Sequence, residues 1–482
     1  MDLAVGFDLD MTLVDSSPGI LATLQRTLAE RGLEVPREVL WPSMGLPLEM
    51  ILGPHVPEAD LPAAVARYRE LYPTLGVPHT VLLPGAAESL AAVRALHGRV
   101  VVVSAKFEPA VHAVLDRVGL RADVVVGELF AADKGRALAE HGVSVYVGDH
   151  PGDVAGGLAA GAVPIGVTTG AHDAAALRDA GAEVLLESLS GLPAWLDEHV
   201  LEARLRDLDE RLRGLGSVLV AFSGGADSAF LLAAAVRALG PGQVAAATAV
   251  SGSLATGELD DASAFARGMG VRHLTPATDE LSRDGYRANA GDRCFFCKAE
   301  LLDVLGPLAA ELGVAAVATG TNADDAVAGF RPGMRAAAER GAVTPLRDAG
   351  LTKAQVREAS RRWELPTWSK PAAACLSSRI AYGVQITPAG LGRVDRAEQA
   401  VRDVLAAAGV DVRDLRVRDL GDDRARVELD AATLERLGAA PEVGARVTGA
   451  AVAAGFSVAE VDPRGFRSGS MNELLAAPER YR

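Results

Sequence analysis

Short apolar runs rich in β-branched residues punctuate the chain in two successive series. The first falls at residues 3–8, 100–103, 124–126, 143–147 and 163–167, the second at 218–221, 244–250 and 314–318. Each is short for a helix and is followed closely by glycine, serine, threonine or aspartate, which predicts buried strands. Helical spacing fills the gaps: a largely helical insert at about 15–80, a strong helix former after residue 226, then 256–269 and 299–312. Strand alternating with helix predicts parallel, doubly wound sheets with ligands at the carboxyl ends of the strands. The last hundred residues read differently, as a helix over 388–408, a hairpin of 415–420 and 424–429, a helix, and a strand over 456–461. The expected fold is therefore α/β, two doubly wound parallel-sheet domains followed by a small α+β domain. Between Leu189 and Leu215 the pattern is amphipathic and charged, as in an exposed connecting helix. These features divide the chain at 1–197, 198–215, 216–385 and 386–482.

Composition narrows the class. The 482 residues suffice for two or three domains with buried cores. Hydrophobic residues make up 49%, largely alanine and valine, yet no uninterrupted apolar run approaches bilayer length. The start, Met1-Asp2, is acidic and runs directly into a strand, so no signal peptide is expected. A net charge of −15 argues against a broad electrostatic grip on nucleic acid. A cytoplasmic protein without membrane or nucleic-acid partners is expected. The three cysteines, Cys294, Cys297 and Cys375, make no disulfide framework, and the C-x-x-C pair suggests metal, cluster or thiol chemistry. Only Lys106, Lys134, Lys298, Lys353 and Lys370 are lysines among 48 basic residues, and all lie in or beside the motifs below.

The first strand ends in Phe7-Asp8-Leu9-Asp10-Met11-Thr12, which sets two carboxylates two residues apart, ready for one phosphate and one metal. Ser104 ends a later strand, Lys134 follows, and Gly148-Asp149-His150-Pro151-Gly152-Asp153 ends another. This ordered set, D-x-D-x-T, Ser, Lys and G-D-x-x-x-D, resembles the haloacid dehalogenase superfamily of phosphohydrolases over roughly the first 195 residues. The resemblance implies that Asp8 is the nucleophile and Asp10 the general acid/base. It implies that Ser104 and Lys134 hold the phosphoryl group. Mg²⁺ would sit among Asp8, Asp10, Asp149 and Asp153, and the insert at about 15–80 would be a closing cap. Met11 departs from the glycine usual at that position.

The second half opens with Val218–Ala221 and then Phe222-Ser223-Gly224-Gly225-Ala226-Asp227-Ser228. Strand, glycine-rich turn and helix form a phosphate-binding arrangement, in which backbone N–H groups of the first helical turn point at the anion. No lysine follows the glycines, so this is not a G-x-x-x-x-G-K-[ST] loop. It resembles instead the PP-loop of ATP pyrophosphatases, which implies ATP at Ser223, Gly224, Gly225, Asp227 and Ser228. The loop Thr319-Gly320-Thr321-Asn322-Ala323-Asp324-Asp325 leaves the same sheet edge, so Thr321 and Asn322 should face the nucleotide. Asp324 or Asp325 is a helix cap or a metal ligand.

Taken alone, Arg293-Cys294-Phe295-Phe296-Cys297-Lys298 fits a redox pair, half a zinc site or part of a cluster. Only Cys375 remains as a further thiol, and three thiolates suit a [4Fe–4S] cluster with one iron open. Cys375 itself could be an inert buried thiol, or one activated by Lys370 and Arg379. The ensemble is similar to LarE-type ATP-dependent sulfur transferases. It rests on F-S-G-G-A-D-S, D-R-C-F-F-C-K, T-G-T-N-A-D-D, G-L-T-K-A-Q-V-R at 350–357, K-P-A-A-A-C-L-S-S-R-I-A-Y-G at 370–383, and Gly465–Asn472. Ser369 stands where an Asp is expected before K-P-A. The resemblance implies adenylylation of a carboxylate on a pyridinium dicarboxylate mononucleotide, then conversion to a thiocarboxylate in nickel-pincer cofactor synthesis. It places the sulfur-bearing cysteine at Cys375, either sacrificial or a ligand of the [4Fe–4S] cluster with Cys294 and Cys297. It also implies that Arg416 and Arg418, alternating on one strand face, bind the substrate phosphate, with Glu398 and Glu428 nearby.

The combined expectation is a Mg²⁺-dependent phosphohydrolase fused to an ATP-dependent sulfur transferase, with homo-oligomers formed through the second half. Two alternatives stand beside it. One is a PP-loop tRNA thiolase with a three-cysteine cluster, and the other a sulfur transferase joined to a catalytically silent hydrolase module.

Overall fold

The computed structural model describes residues 3–327, 332–371, 375–467 and Met471. The parts of the motifs at 372–374, 468–470 and Asn472 lie outside the described residues. The chain divides into two compact units, Met1–Glu202 and Ala203–Arg482, and helix Leu192–Leu215 runs through the division. Among the described residues no helix is long and apolar enough to cross a membrane.

Unit 1 is built on β1 (Ala4–Phe7), the antiparallel pair β2 (Val14–Asp15) and β3 (Val81–Leu82), and β4 (Arg99–Val103). The strands β5 (Val124–Val126), β6 (Val145–Gly148), β7 (Val163–Val167) and β8 (Val184–Leu186) follow. The main sheet is parallel in the order β5-β4-β1-β6-β7-β8. β1, β4 and β6 are almost wholly buried, as the unbroken apolar runs require when helices cover both faces. The order reverses at β1, between β4 and β6, and that opens a crevice at the carboxyl ends. The insert is helical, with Ser17–Ala29 and Leu61–Leu75 its longest elements. The chain enters and leaves it through the β2–β3 ribbon, which the sequence did not signal because each strand is only two residues long. β8 was also missed, since Val184–Leu186 is only three residues and half-buried.

Unit 2 carries a second parallel sheet of β9 (Val218–Ala221), β10 (Val244–Ala247), β11 (Arg272–Leu274) and β12 (Ala316–Thr319), in the order β11-β10-β9-β12. The glycine-rich turn after β9 feeds helix Ala226–Leu239, and Gly224 at φ +69° takes a left-handed turn that favours glycine. The helix expected at 299–312 begins earlier, at Arg293, so Cys294 and Cys297 occupy its first turns three residues apart on one face. A second core in this unit is closed by β13 (Leu415–Asp419), β14 (Arg424–Leu429) and β15 (Val458–Val461), with helix Pro388–Ala407. The hairpin is antiparallel and β15 joins β14 in parallel. The single helix expected before β15 is two, Ala431–Ala439 and Pro441–Ala453, because Pro441 starts a new helix where the first cannot continue.

Candidate active sites

In unit 1 the strand ends bring the predicted residues together. Asp8 follows β1, Ser104 follows β4 and Asp149 follows β6, and each is buried. Asp8, Asp149 and Asp153 place one ligand atom each within 4.8 Å of one another. Lys134 reaches into this group, with Nζ 2.7 Å from Asp8 Oδ1, 2.6 Å from Asp153 Oδ1 and 3.1 Å from the Tyr146 hydroxyl. Tyr146 donates in turn to the Val103 carbonyl at 2.8 Å, fixing the lysine's position from below. Thr12 donates to Asp149 at 3.1 Å, and the Asp153 carboxylate accepts from the His150 N–H as part of a capping box on helix Pro151–Ala159.

Burial pushes the Asp8 carboxyl up to about 7, with the Asp153 and Asp10 carboxylates adding to the rise and Lys134 opposing it. Burial likewise raises Asp149, reinforced by Asp153 and Asp8. Burial works against the Lys134 ammonium, but Asp153 and Asp8 hold it well above its ordinary value. Three buried carboxylates against one ammonium leave excess negative charge in low dielectric, which suits a hard divalent cation with oxygen ligands such as Mg²⁺. The Asp10 carboxylate lies apart from this trio, hydrogen-bonded by Ser16 and 3.2 Å from Lys106 Nζ. Met11 adopts φ +60°, the left-handed conformation that explains why glycine is usual there, and its carbonyl accepts from Thr169. Asp8, Asp10, Ser104 and Lys106 open onto a cavity of about 110 Å³ that the insert closes with Met44, Leu48 and Tyr72.

In unit 2 a cavity of about 450 Å³ is lined by Ser223, Gly225, Asp227 and Ser228, by Thr321 and Asp325 after β12, and by Cys297 and Cys375. Ser228 Oγ closes the turn, accepting from the Ser223 N–H at 3.3 Å and donating to the Gly225 carbonyl at 3.1 Å. Burial raises the Asp227 carboxyl, and its Oδ1 is buried without a hydrogen-bond partner. An orphaned carboxylate oxygen beside a phosphate-binding turn fits the cation that accompanies a nucleotide. Asn322 hydrogen-bonds Asp227 and forms a reciprocal cap with Asp325, each side chain accepting the other's backbone N–H at 3.2 Å. Asn322 is buried and therefore braces Asp227 and Asp325 from behind the cavity wall. Asp324 accepts from the Lys353 N–H at 2.7 Å.

Sequence reasoning gave the lysines little weight, yet all five stand at these two sites. Lys106 and Lys134 flank Asp10 and Asp8, and Lys298, Lys353 and Lys370 line the larger cavity together with Arg357. Their rarity was the available signal.

Cys297 and Cys375 line this cavity, and Cys294 lies one helical turn before Cys297 and is exposed. Burial pushes the Cys297 thiol well up, and Cys375, Glu280 and Cys294 add to the rise, so the three sulfurs lie within electrostatic reach of one another. They do not converge on one point as a single-ion site demands, since the tight groups of metal-ligating side chains among the described residues are limited to the aspartate trio. A spread set of three thiols fits a cluster better than zinc. Arg293 is the cation here that sequence reasoning missed. It is buried, donates to the Ser377 carbonyl at 2.9 Å, and is held above its ordinary value, against burial, by Cys375 and Cys294.

A third cavity, about 320 Å³, has Arg379, Arg402, Arg416 and Glu398 in its walls. Arg416 and Arg418 do not share one environment. Arg416 faces this cavity, and burial with the nearby Arg379 lowers its guanidinium to about 10. Arg418 is paired with Glu428 at 2.8 Å and donates to the Ser378 carbonyl at 3.1 Å. Both are buried, unlike residues of a solvated edge strand.

The comparisons with known proteins divide as the two units do. Family models match residues 5–157 as a haloacid dehalogenase-like hydrolase and residues 129–192 as HAD-hydrolase-like. The phosphoglycolate phosphatase of Rhodospirillum rubrum is 31% identical over 221 residues, 41% of this chain and 91% of its own length. Uncharacterized protein slr1717 of Synechocystis is 39% identical over 276 residues, covering 57% of this chain and 99% of that protein. The pyridinium-3,5-bisthiocarboxylic acid mononucleotide synthase of Lactiplantibacillus plantarum is 34% identical over 264 residues, 55% of this chain and 92% of its own. The chain therefore belongs to two families joined in one polypeptide, haloacid dehalogenase-like hydrolases in its N-terminal half and LarE-type sulfur transferases in its C-terminal half.

Proposed function

We propose that unit 2 is an ATP-dependent sulfur transferase that adenylylates a carboxylate of a pyridinium dicarboxylate mononucleotide and converts it to a thiocarboxylate. The observation that carries this reading is the sharing of one cavity by the Ser223–Ser228 turn and by Cys297 and Cys375. The N-terminus of helix Ala226–Leu239 and the turn N–H groups receive the ATP phosphates. Asp227 takes the accompanying Mg²⁺, and Lys298 and Lys353 balance charge on the departing pyrophosphate. The substrate phosphate lies with Arg416 in the neighbouring cavity, while Arg418, fixed by Glu428 and the Ser378 carbonyl, supports that strand. Adenylylation turns a poor leaving oxygen into AMP, so positioning is the main task left to the protein. Cys294, Cys297 and Cys375 would hold a [4Fe–4S] cluster, which when bound supplies a reactive sulfur beside the nucleotide. The test is anaerobic incubation with ATP, Mg²⁺ and the dicarboxylate mononucleotide. AMP, pyrophosphate and a thiolated product are expected, and their absence from active, iron-loaded protein rejects the substrate.

Unit 1 acts as a Mg²⁺-dependent phosphohydrolase. Asp8 attacks phosphorus, and Lys134 and Ser104 hold the transferring group. Asp10, oriented by Ser16 and Lys106, protonates the leaving oxygen and later deprotonates water. Mg²⁺ held by Asp8, Asp149 and Asp153 would neutralise charge on the phosphoryl oxygens. Release of phosphate from a generic monoester, abolished in Asp8→Asn, tests this against a silent module.

A further inference from the structure

The cavity beside Asp8 and Asp10 has an apolar far wall, and its two cations are already matched by carboxylates. Met44, Leu46, Leu48, Ile51, Tyr68 and Phe107 supply most of that wall. Lys106 lies 3.2 Å from Asp10 and 4.3 Å from the centre of the Tyr72 ring. Arg69 packs over Phe107 at 4.4 Å, and its Nη2 is 2.7 Å from Glu128 and 3.6 Å from Glu49. Arg69, Glu49 and Glu128 all border the cavity. Two carboxylates against one guanidinium leave that end without spare positive charge, so a second anionic group placed there would be repelled. The volume points the same way: at about 110 Å³ it is a quarter of the 450 Å³ cavity assigned to ATP in unit 2, so it favours a small leaving group over a nucleoside.

We propose that unit 1 hydrolyses the phosphate monoester of a small, uncharged, largely apolar alcohol or phenol. It discriminates against pyrophosphate, nucleotides and monoesters that carry a carboxylate. This substrate class rests on the phosphohydrolase reading of Asp8. In the reaction the Asp8 carboxylate forms a bond to phosphorus as the bond to the alcohol oxygen breaks, and that oxygen leaves with the proton of Asp10. Water, deprotonated by Asp10, then breaks the aspartyl–phosphate bond and releases inorganic phosphate.

The test measures phosphate release by the full-length protein in Mg²⁺ from isobutyl phosphate, phenyl phosphate, phosphoglycolate, glucose 6-phosphate, AMP and pyrophosphate. Isobutyl phosphate and phosphoglycolate are both esters of small primary alcohols, so their comparison isolates the charge and polarity of the leaving group. We expect kcat/KM at least tenfold higher for the isobutyl and phenyl esters than for the other four. Equal or higher kcat/KM for any of those four overturns the proposed class. No release from any substrate, with native protein indistinguishable from Asp8→Asn, overturns the phosphohydrolase reading and the class with it. The double variant Glu49→Gln/Glu128→Gln frees the charge of Arg69 and should raise the phosphoglycolate-to-isobutyl phosphate ratio about tenfold. An unchanged ratio contradicts the charge-matching argument.

Discussion

Arg379 holds Cys375 by its backbone, donating from Nη1 to the Cys375 carbonyl at 2.9 Å. The same guanidinium donates from Nε to Glu398 Oε1 at 3.0 Å, and Glu398 also accepts from the Val417 N–H of β13. Cys375 lines the cavity assigned to ATP, and Arg379 and Glu398 line the arginine-rich cavity beside it. The two cavities, proposed for sulfur chemistry and for substrate binding, are therefore registered to each other through one buried ion pair.

Breaking that pair should cost stability and registry together. Removing one partner of a buried pair leaves the other charge uncompensated, typically about 3–5 kcal/mol. Glu398→Gln should lower the urea midpoint of unit 2 and reduce thiolation more than ATP-dependent pyrophosphate release. A midpoint unchanged from the native protein would show that the pair carries no such load.

Gly320 lies against the Ser223–Ser228 turn. A Cβ there would sit 2.9 Å from the Ser228 backbone nitrogen and 3.0 Å from its Cα. Since backbone cannot swing away as a side chain can, Gly320→Ala must displace the start of helix Ala226–Leu239, with an overpacking cost of about 1–3 kcal/mol. The KM for ATP in the AMP-forming reaction should rise at least tenfold, and a KM within twofold of native would contradict the placement of ATP on this turn.

Lys298 lines the cavity proposed for ATP, and burial lowers its ammonium below the ordinary lysine value. Incoming phosphates offer that ammonium the anionic partner that burial makes it need, so Lys298→Met should cut kcat/KM for ATP by about tenfold to a hundredfold while far-ultraviolet circular dichroism stays native. Lys298→Arg should recover little, because a guanidinium fork does not replace a compact ammonium in a closed wall.

The aspartate trio of unit 1 should be a folding ligand site as well as a catalytic one. Mg²⁺ that binds only the folded state stabilises it by about 2.7 kcal/mol at a hundredfold excess over Kd. Calorimetry should show the unit 1 transition rising with Mg²⁺ and falling back with chelator, and Asp149→Asn should abolish most of the rise. Equal Mg²⁺ shifts in native and Asp149→Asn protein would place the ion elsewhere.

Much of this architecture was legible in the chain. The valine-rich runs marked β4, β5, β6 and β7 because a strand covered on both faces has no polar alternation to dilute the signal. The chemistry-bearing residues at strand ends, Asp8 after β1, Ser104 after β4 and Asp149 after β6, were legible for the same reason. What escaped was short or depended on pairing. β2 and β3 exist through each other, Val14 with Leu82 and Asp15 with Val81, across some seventy residues that no local pattern connects. The early start of the helix at Arg293 also escaped, since Arg293–Lys298 was read for its cysteine chemistry and the helix was expected only from 299. The split roles of Arg416 and Arg418 were beyond reach, since strand alternation places them on one face but says nothing of Glu428, which claims Arg418. Arg69 with its two glutamates was equally hidden, because those partners come from positions 49 and 128.

The most direct test of the account is one anaerobic reaction of the iron-loaded protein with ATP, Mg²⁺ and the pyridinium dicarboxylate mononucleotide, run with native protein and Cys375→Ala. Both protein and small molecules are weighed by mass spectrometry. The account predicts pyrophosphate from both proteins, and AMP with a thiolated product from the native protein alone. An unaltered native mass then marks Cys375 as a cluster ligand, and a mass lower by the elements of hydrogen sulfide marks it as consumed. A thiolated product from Cys375→Ala at the native yield would contradict the central role of that cysteine.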